Sequence, residues 1–552
     1  VDHLETRLAF LVMQNPVPPC VIFEDDHLLV VNKPAGWNTH APAPFAGEGI
    51  YDWLRHREPR WASLAIIHRL DKETSGVLVF GKTPLANKSL TAQFTAHSVH
   101  KKYLLLTDRA VAAKEFTARN PLLRASERSV ISPHGEAAET RFEFVGDSIL
   151  DPPASTLAAL PRTGRTHQIR AHAAEHGLPI LGDTLYGGTP FPRVCLHATE
   201  ITFAHPATNQ PVTFTVPADF AADTRAALRA AIIEPAQSNA FRCLHGASDD
   251  QPGWFVEQLG DYLLSQSEAP LTPAQTRWLV ASRPAPCAPR PAHGIYHKIL
   301  NRRVQRATPA DTSPQLVFGE AAPEKFVIRE NGVQFEMSFN EGYSVGLFLD
   351  QRDNRRRFLT GHIAADFPLF LKPKASNPAP EVLNTFAYTC GFSVCAALAG
   401  ARTTSLDLSK KYLDWGKHNF ALNGLDPAAH DFIFGDTFDW LKRFAKKGRA
   451  FDAIVLDPPT FSRSKESGVF QTEKDYGKLV TAALPVLKPN GILLASTNTA
   501  TLAPEDFLAA VTAAIRAAGR KIVQQHYVPQ PPDFPISREE PGYLKTIWLR
   551  VA

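Results

Sequence analysis

The chain has 552 residues, of which 44% are hydrophobic, 10% aromatic and 21% charged. One core stops growing at about 250–300 residues, so two or three domains are expected, and a mainly disordered, collagen-like or small disulfide-stapled chain is excluded. A formal charge of +4 is too slight to mark a nucleic-acid partner, which must instead show as local basic patches.

No run of about 18 uncharged apolar residues suggests a membrane span. Asp2 and Glu5 stand where a secretory signal would be basic, which argues against export. Cys20, Cys195, Cys243, Cys287, Cys390 and Cys395 are dispersed with no C-x-x-C pair, the pattern of a reduced, cytoplasmic protein without a structural zinc site.

In chain order, residues 19–40 carry short β-rich runs broken by Asn-Lys-Pro and Ala-Gly, and strand-like pieces continue through GVLVFGKT, KKYLLLT, VCLHATEITFAHP and PVTFTVP. A sheet-dominated α+β domain over residues 1–217 is expected. An alanine-rich helix, DFAADTRAALRAAI, then opens a linker and small α+β middle domain over 218–330, punctuated by RPAPCAPRPAHG and ATPADTSPQ, whose prolines oppose helix. After LKPKASNPAP, the apolar runs EVLNTFAYT, TTSLDLS, FDAIVLDPP and GILLAST alternate with helical stretches. Such alternation predicts an α/β, Rossmann-like domain over 331–552, built on a doubly wound parallel sheet. No internal repeat is visible.

HRLDKETSG, His68 to Gly76, puts Asp71 in a turn between two strands; a lone Asp there usually just accepts turn hydrogen bonds. Two further segments change that weighting: RTGRTHQIRAHAAEHGLPILGDTLYG, from Arg162, is dense in basic side chains, and HKKYLLL sets Tyr103 beside Lys101 and Lys102. Together these motifs, with VVNKPAG before them and LHATEITFAHP after, resemble the RluA family of pseudouridine synthases over roughly residues 20–217. The resemblance implies that Asp71 is the catalytic carboxylate and that no cofactor is needed. It implies that Tyr103 packs against the base as a candidate general base, and that Arg165 pairs with Asp71 and keeps it ionised. Arg69 is expected to fill the place of the extruded nucleotide, because the glycosidic bond is inaccessible within a stack. Attack on the sugar, attack on the base and assisted elimination at the ribose all stay open. His172-Ala-Ala-Glu-His176 fits an inverted zinc-protease pattern, but a chain with 20 histidines meets that pattern by chance and shows no further ligand, so no metal is expected.

In the C-terminal part, EVLNTFAYTCGFSV is a strand, a loop with one glycine and a helix start; Asp407 ends the next strand, Asp436 follows another short β run, and Asp457-Pro458-Pro459 ends a fourth strand. Open α/β sheets bind ligands at that carboxyl edge, and an acid at the position of Asp407 can accept from ribose hydroxyls. This order resembles the class I S-adenosylmethionine-dependent methyltransferases, which implies that S-adenosylmethionine is bound by Asn384, Phe386, Tyr388, Thr389, Gly391, Asp407, Leu408, Asp436 and Asp457. GLFLDQRDNRRRF, ARTTSLDLSKKYLDWGKHNFALNGL and DPPTFSRSK bring the resemblance closer to bacterial 23S rRNA methyltransferases, in particular a guanine nitrogen-7 methyltransferase half. DDQPGWFVEQLGDYLL resembles the small domain preceding the catalytic domain in related 5-methylcytosine enzymes. Pro458, Pro459, Thr460, Phe461 and Arg352 are then expected at the substrate, with Phe461 a candidate stacking partner.

Cytosine carbon 5 needs a thiolate nucleophile. Ser496-Thr497-Asn498-Thr499 stand where the related enzymes carry their cysteine, so 5-methylcytosine is disfavoured. Guanine nitrogen 7 has a free lone pair and needs little beyond positioning, while Asp-Pro-Pro keeps an exocyclic amine open. Basic groups near both sites, His100-Lys101-Lys102, Arg162 with Arg165, and Arg352 with Arg355-Arg356-Arg357, are expected to contact phosphate. The expected whole is a bifunctional RNA-modifying enzyme, with ribosomal RNA preferred as partner, transfer RNA the alternative, and no membrane partner. Competing readings are a non-catalytic RNA-binding role for one half and a small-molecule methyltransferase fused to a synthase.

Overall fold

The computed structural model describes residues 17–148, 150, 153–281, 292–300, 312–342, 344–371, 378–464 and 468–552. Asp2, Glu5, Cys287 and much of the three proline-rich stretches lie outside the described residues. The described residues form two compact units, the first drawn from 17–40, 49–52 and 63–234 and the second from 41–48, 53–62 and 235–552. Helix Thr224–Ile232, capped by the Asp223 side chain, belongs to the first unit.

The first unit is built on a ten-stranded sheet. Leu28–Lys33 and Ser75–Gly81 are apolar almost throughout and buried, as suits central strands covered on both faces. Ser75–Gly81 pairs with Leu196–Ala204 in parallel; the other pairings in this sheet are antiparallel. Gly76 is required here: its φ is 118°, and a Cβ would stand 2.2 Å from the Ala198 carbonyl oxygen, so only glycine lets the two strands close. One core packs Leu105, Phe142, Leu157, Ile180 and Cys195; a second packs Val30, Val79, Leu90 and Phe203.

In the second unit a seven-stranded sheet runs in the order Asp431–Phe434, Arg402–Asp407, Glu381–Thr385, Phe451–Leu456, Leu487–Thr497, Lys545–Val551, Ile522–Val528. The first five strands are parallel, as the Rossmann-like reading expects, and Lys545–Val551 is antiparallel to both neighbours, so the sheet is mixed and mostly parallel. The middle segment folds a five-stranded sheet from Ala240–His245 to Gln315–Gly319. Its Leu259, Tyr262 and Tyr296 share one core with Phe339, Phe358, Val382 and Trp548, which is why it belongs to the same compact unit. Among the described residues no helix is long and apolar enough to cross a membrane.

The expectation that Arg352 and Arg355–Arg357 contact phosphate is corrected. All four lie in helix Arg352–Thr360 and are buried. Arg352 donates bidentately to Asp533 at 2.8 and 2.6 Å and Arg355 to Glu330 at 2.6 and 2.7 Å. Arg356 pairs with Glu58, and Arg357 donates to the carbonyls of Ile363 and Asp353. A buried guanidinium is tolerable when it is paired and most of its donors are taken; only Arg356 Nε among these lacks a partner among the described residues, and the four are structural cations. Replacing Arg352 by Met removes the cation paired with the buried Asp533 carboxylate and is expected to cost about 3–5 kcal/mol in urea unfolding, with much of it recovered in Arg352→Met/Asp533→Leu. Unchanged stability with weakened RNA binding would restore the phosphate role.

Candidate active sites

In the first unit Asp71 sits in the loop between Ala65–Ile66 and Ser75–Gly81. That loop is held from the turn after Leu28–Lys33. The fully buried Lys33 ammonium donates to the carbonyls of Pro34, Trp37 and Lys72 at 3.0, 2.6 and 3.1 Å, Gly36 N–H donates to the same Lys72 carbonyl, and the Thr39 hydroxyl donates to the Leu70 carbonyl at 2.8 Å. Burial pulls the Lys33 amine down to about 7, against the opposing charges of Glu73 and Asp71.

Asp71, Tyr103, Arg165 and Arg69 all line one cavity of about 90 Å³, together with Lys101 and Arg170. The expected ion pair is corrected, however. Arg165 pairs with Glu136 and donates to the Ala137 carbonyl. The cation facing Asp71 is Arg170, whose Nη1 lies 3.8 Å from Asp71 Oδ2 and 3.6 Å from Glu73. Helix Gln168–Glu175 carries Arg170 inward. Its Nε and Nη2 are clamped by the buried Asp183 at 2.7 and 2.8 Å, and its guanidinium rides over the Tyr186 ring at 5.2 Å. Nη1 alone is buried with no hydrogen-bond partner among the described residues. His167, with a left-handed φ of 53°, brings Nε2 to 3.9 Å from Asp71.

About a quarter of the Asp71 side chain stays open to solvent. Burial still drives its carboxyl above the ordinary range, with the charges of His167 and Arg170 pulling it back. The Tyr103 phenol is pushed up strongly, first by burial and then by Asp71, so the ring meets the cavity as a neutral phenol; this speaks against the general-base role. His172 is buried and bonded to the Thr140 hydroxyl and the Asn120 carbonyl, which removes it as a zinc ligand.

In the second unit the loop after Glu381–Thr385 contains a single glycine, and Phe386, Tyr388 and Cys390 take left-handed φ of 54°, 48° and 64°. Non-glycine residues adopt this region at a cost. The Asp407 carboxylate holds the middle of this loop, accepting from Tyr388 N–H at 2.9 Å, and also accepts from Ser409 N–H at 2.8 Å. Phe386, Leu408 and Asp436 line a cavity of about 300 Å³ with Phe438, Lys442 and Phe470, and Asp436 caps helix Thr437–Lys446. Two expected cofactor residues serve the scaffold instead: the buried Asn384 donates to the Ser393 hydroxyl and the buried Thr389 donates to the Gly346 carbonyl. The Tyr388 hydroxyl accepts from Gly346 N–H, and at Gly391 a Cβ would press on Leu347 at 3.0 Å.

Asp457 follows strand Phe451–Leu456 and accepts from the Gln351 amide at 3.1 Å. Burial, then the charge of Asp350, pushes its carboxyl up to about 7. Pro458 is buried, while Pro459, Thr460 and Phe461 are exposed, so Phe461 is not a core residue. Cys390 and Cys395 are buried, the Cys390 thiol pushed up to about 12 by that burial. Neither is a ready nucleophile.

Residues 27–175 match the RNA pseudouridylate synthase family and residues 280–550 the S-adenosylmethionine-dependent methyltransferase family. A ribosomal RNA large subunit methyltransferase of Deinococcus radiodurans is 32% identical over 336 residues, 60% of this chain and 78% of the relative. The chain belongs to the S-adenosylmethionine-dependent methyltransferase family. It carries an RNA pseudouridylate synthase domain as well: the ribosomal large subunit pseudouridine synthase C of Vibrio vulnificus is 38% identical over 208 residues, 36% of this chain and 65% of that protein. Ribosomal RNA large subunit methyltransferase K of Neisseria meningitidis is 38% identical over 189 residues, 34% of this chain and 49% of that protein.

The second cavity fits S-adenosylmethionine: an acidic residue ends the strand next to the loop, and Leu408, 40% exposed, stands with Phe386 and Phe438 where an adenine needs apolar cover. Sequence reasoning missed Lys33, Arg170, Asp183, Asp350 and Gln351. The signal for Lys33 was a charge ending the apolar run LLVVN; Arg170 carried none that set it apart from Arg162 and Arg165. Replacing Asp407 by Ala in the methyltransferase domain removes a carboxylate that shapes the loop. S-adenosylmethionine affinity is expected to fall about 10- to 100-fold in calorimetry, the loss of one or two charged hydrogen bonds; unchanged affinity would remove Asp407 from the cofactor site.

Proposed function

We propose that this chain modifies large-subunit ribosomal RNA at two kinds of base, isomerising uridine to pseudouridine at Asp71 and methylating guanine, preferably at nitrogen 7, beside Asp457. The convergence of Asp71, Tyr103 and Arg170 on one cavity carries the first half, and the names of the relatives supply the RNA. For the second half, the absence of a usable thiol disfavours 5-methylcytosine, and nitrogen 7 needs no proton removed before it attacks. S-adenosylmethionine supplies the electrophilic methyl group; Phe386, Leu408, Asp407 and Asp436 are the residues that hold it. An exocyclic amine is the competing target, favoured by the acceptor oxygens of Asp457. Cys195, Cys390 and Cys395 are buried free thiols, in keeping with a reducing cytoplasm.

In the synthase cavity Asp71 acts as the carboxylate, whether by attack or by assisting elimination. Arg170 fixes its charge, and hydrogen bonds that are long in the free enzyme tighten around substrate. Tyr103 offers a flat, neutral surface to the flipped base, and Arg69, exposed on the cavity rim, is placed to fill the vacated stack.

In a strain lacking the protein, complementation with Asp71→Ala is expected to restore the methylated nucleoside but not pseudouridine, read by position-mapped nucleoside mass spectrometry. Both marks appearing in transfer RNA would overturn the choice of ribosomal RNA. Because the Asp71 carboxyl is raised, its active ionised form is present above that raised value and lost as pH falls through it. Single-turnover pseudouridine formation should therefore show an acid limb above the usual carboxylate range, and Arg170→Ala should move that limb to higher pH; an unmoved limb would deny Arg170 its role.

A further inference from the structure

Asp350 immediately precedes Gln351, whose amide donates both to Asp457 at 3.1 Å and to the Ser496 hydroxyl at 2.8 Å. It therefore lies at the carboxyl edge of the sheet, beside the Asp-Pro-Pro motif. Its Oδ2 accepts from the Tyr543 hydroxyl at 3.0 Å, which fixes the carboxylate. Its Oδ1 is buried and accepts no hydrogen bond from any described residue.

The two cations whose charges reach Asp350, Arg242 and Arg355, are committed elsewhere, Arg242 to Glu257 at 2.7 Å and Arg355 to Glu330. Asp457 adds like charge. A carboxylate oxygen out of water, without a donor and beside a second carboxylate, is a costly arrangement unless a ligand brings N–H groups to it.

We propose that Asp350 Oδ1 accepts from the imino and amino hydrogens of the target guanine and is the residue that selects guanine over adenine. Guanine presents N1–H and N2–H side by side on one edge, and with Oδ2 held by Tyr543 both donors converge on Oδ1 as a forked hydrogen bond. Adenine presents an acceptor at N1, which a carboxylate repels. Nitrogen 7 lies on the opposite edge of the purine and stays free for methylation. This inference rests on the guanine reading above and concerns base selection rather than the atom methylated.

The test uses the full chain and protein-free large-subunit ribosomal RNA assembled with guanosine or inosine at the mapped position; inosine lacks the amino group but keeps N1–H and nitrogen 7. For the wild-type enzyme, kcat/KM for methyl transfer is expected to fall about tenfold or more with inosine. Asp350→Asn is expected to bring the two substrates within about threefold of each other while S-adenosylmethionine binding, read by calorimetry, is retained. Tyr543→Phe, which releases the carboxylate without removing it, should narrow the preference partially. Equal wild-type rates on guanosine and inosine, or a full preference surviving in Asp350→Asn, would overturn the inference and leave the guanine reading standing. If Asp350→Asn fails to fold, the wild-type ratio and Tyr543→Phe decide alone. Methylation of a base other than guanine in the wild type would remove the guanine reading itself, and this inference with it.

Discussion

Arg170 donates two parallel hydrogen bonds to a fully buried Asp183, and the synthase site depends on that pair. A bidentate guanidinium–carboxylate pair fixes position and orientation together. It leaves the third nitrogen, which has no hydrogen-bond partner among the described residues, facing the carboxylates of Asp71 and Glu73. The Asp71 loop is fixed from the other side by the Lys33 ammonium and its three carbonyl acceptors. Carboxylate and cation thus approach across the cavity on independently anchored supports, which is how a site holds catalytic geometry before substrate arrives.

The same constraint, that a buried charge must be paired, organises the methyltransferase domain. Arg352 on Asp533 and Arg355 on Glu330 tie helix Arg352–Thr360 to residues distant in sequence. Asp350 and Gln351 are the residues just before that helix, so its anchoring decides where they meet Asp457 and Ser496. Removing one partner of such a pair destabilises far more than the pair itself contributes. These pairs therefore serve register more than stability: they determine which polar groups face the end of the sheet.

Residues lining both candidate sites were legible in the sequence. Asp71, Tyr103 and Arg69 are single residues inside dense motifs, and the order of strand-end acids placed Asp407, Asp436 and Asp457. What sequence could not supply was direction. Arg165 and Arg170 belong to the same motif, five positions apart, and only the helix starting at Gln168 turns one to solvent and the other inward. Arg352 and the run Arg355-Arg356-Arg357 read as a basic face because charge is visible in sequence and partners are not; Asp533, Glu330 and Glu58, which pair with Arg352, Arg355 and Arg356, come from three separate stretches. Asn384 and Thr389 sit in the cofactor loop by position, yet their side chains point to Ser393 and Gly346. The last strand breaks the expected alternation: no helix separates Ile522–Val528 from Lys545–Val551, so the chain turns straight back between two neighbours and runs antiparallel to both.

Methyl transfer to guanine nitrogen 7 leaves the base cationic, and the surroundings of Asp457 suit that change. Two carboxylates share the end of the sheet, each driven upward by burial and, for Asp457, by the other's charge. Such a site is under-neutralised in the free enzyme and gains as positive charge develops on the purine. If Asp350 holds N1–H, the gain is larger still, because alkylation at nitrogen 7 withdraws electrons from the ring and makes N1–H a stronger donor. That hydrogen bond is then shorter and stronger in the transition state than in the bound substrate, which is the condition for binding energy to accelerate chemistry. An exocyclic amine draws a different benefit from the same carboxylates, since it must lose a proton as it is methylated, and a carboxyl near 7 can accept one. The two targets therefore differ in what protonation of Asp457 does to the rate: for the amine it removes the proton acceptor, and for nitrogen 7 it removes only part of the favourable charge.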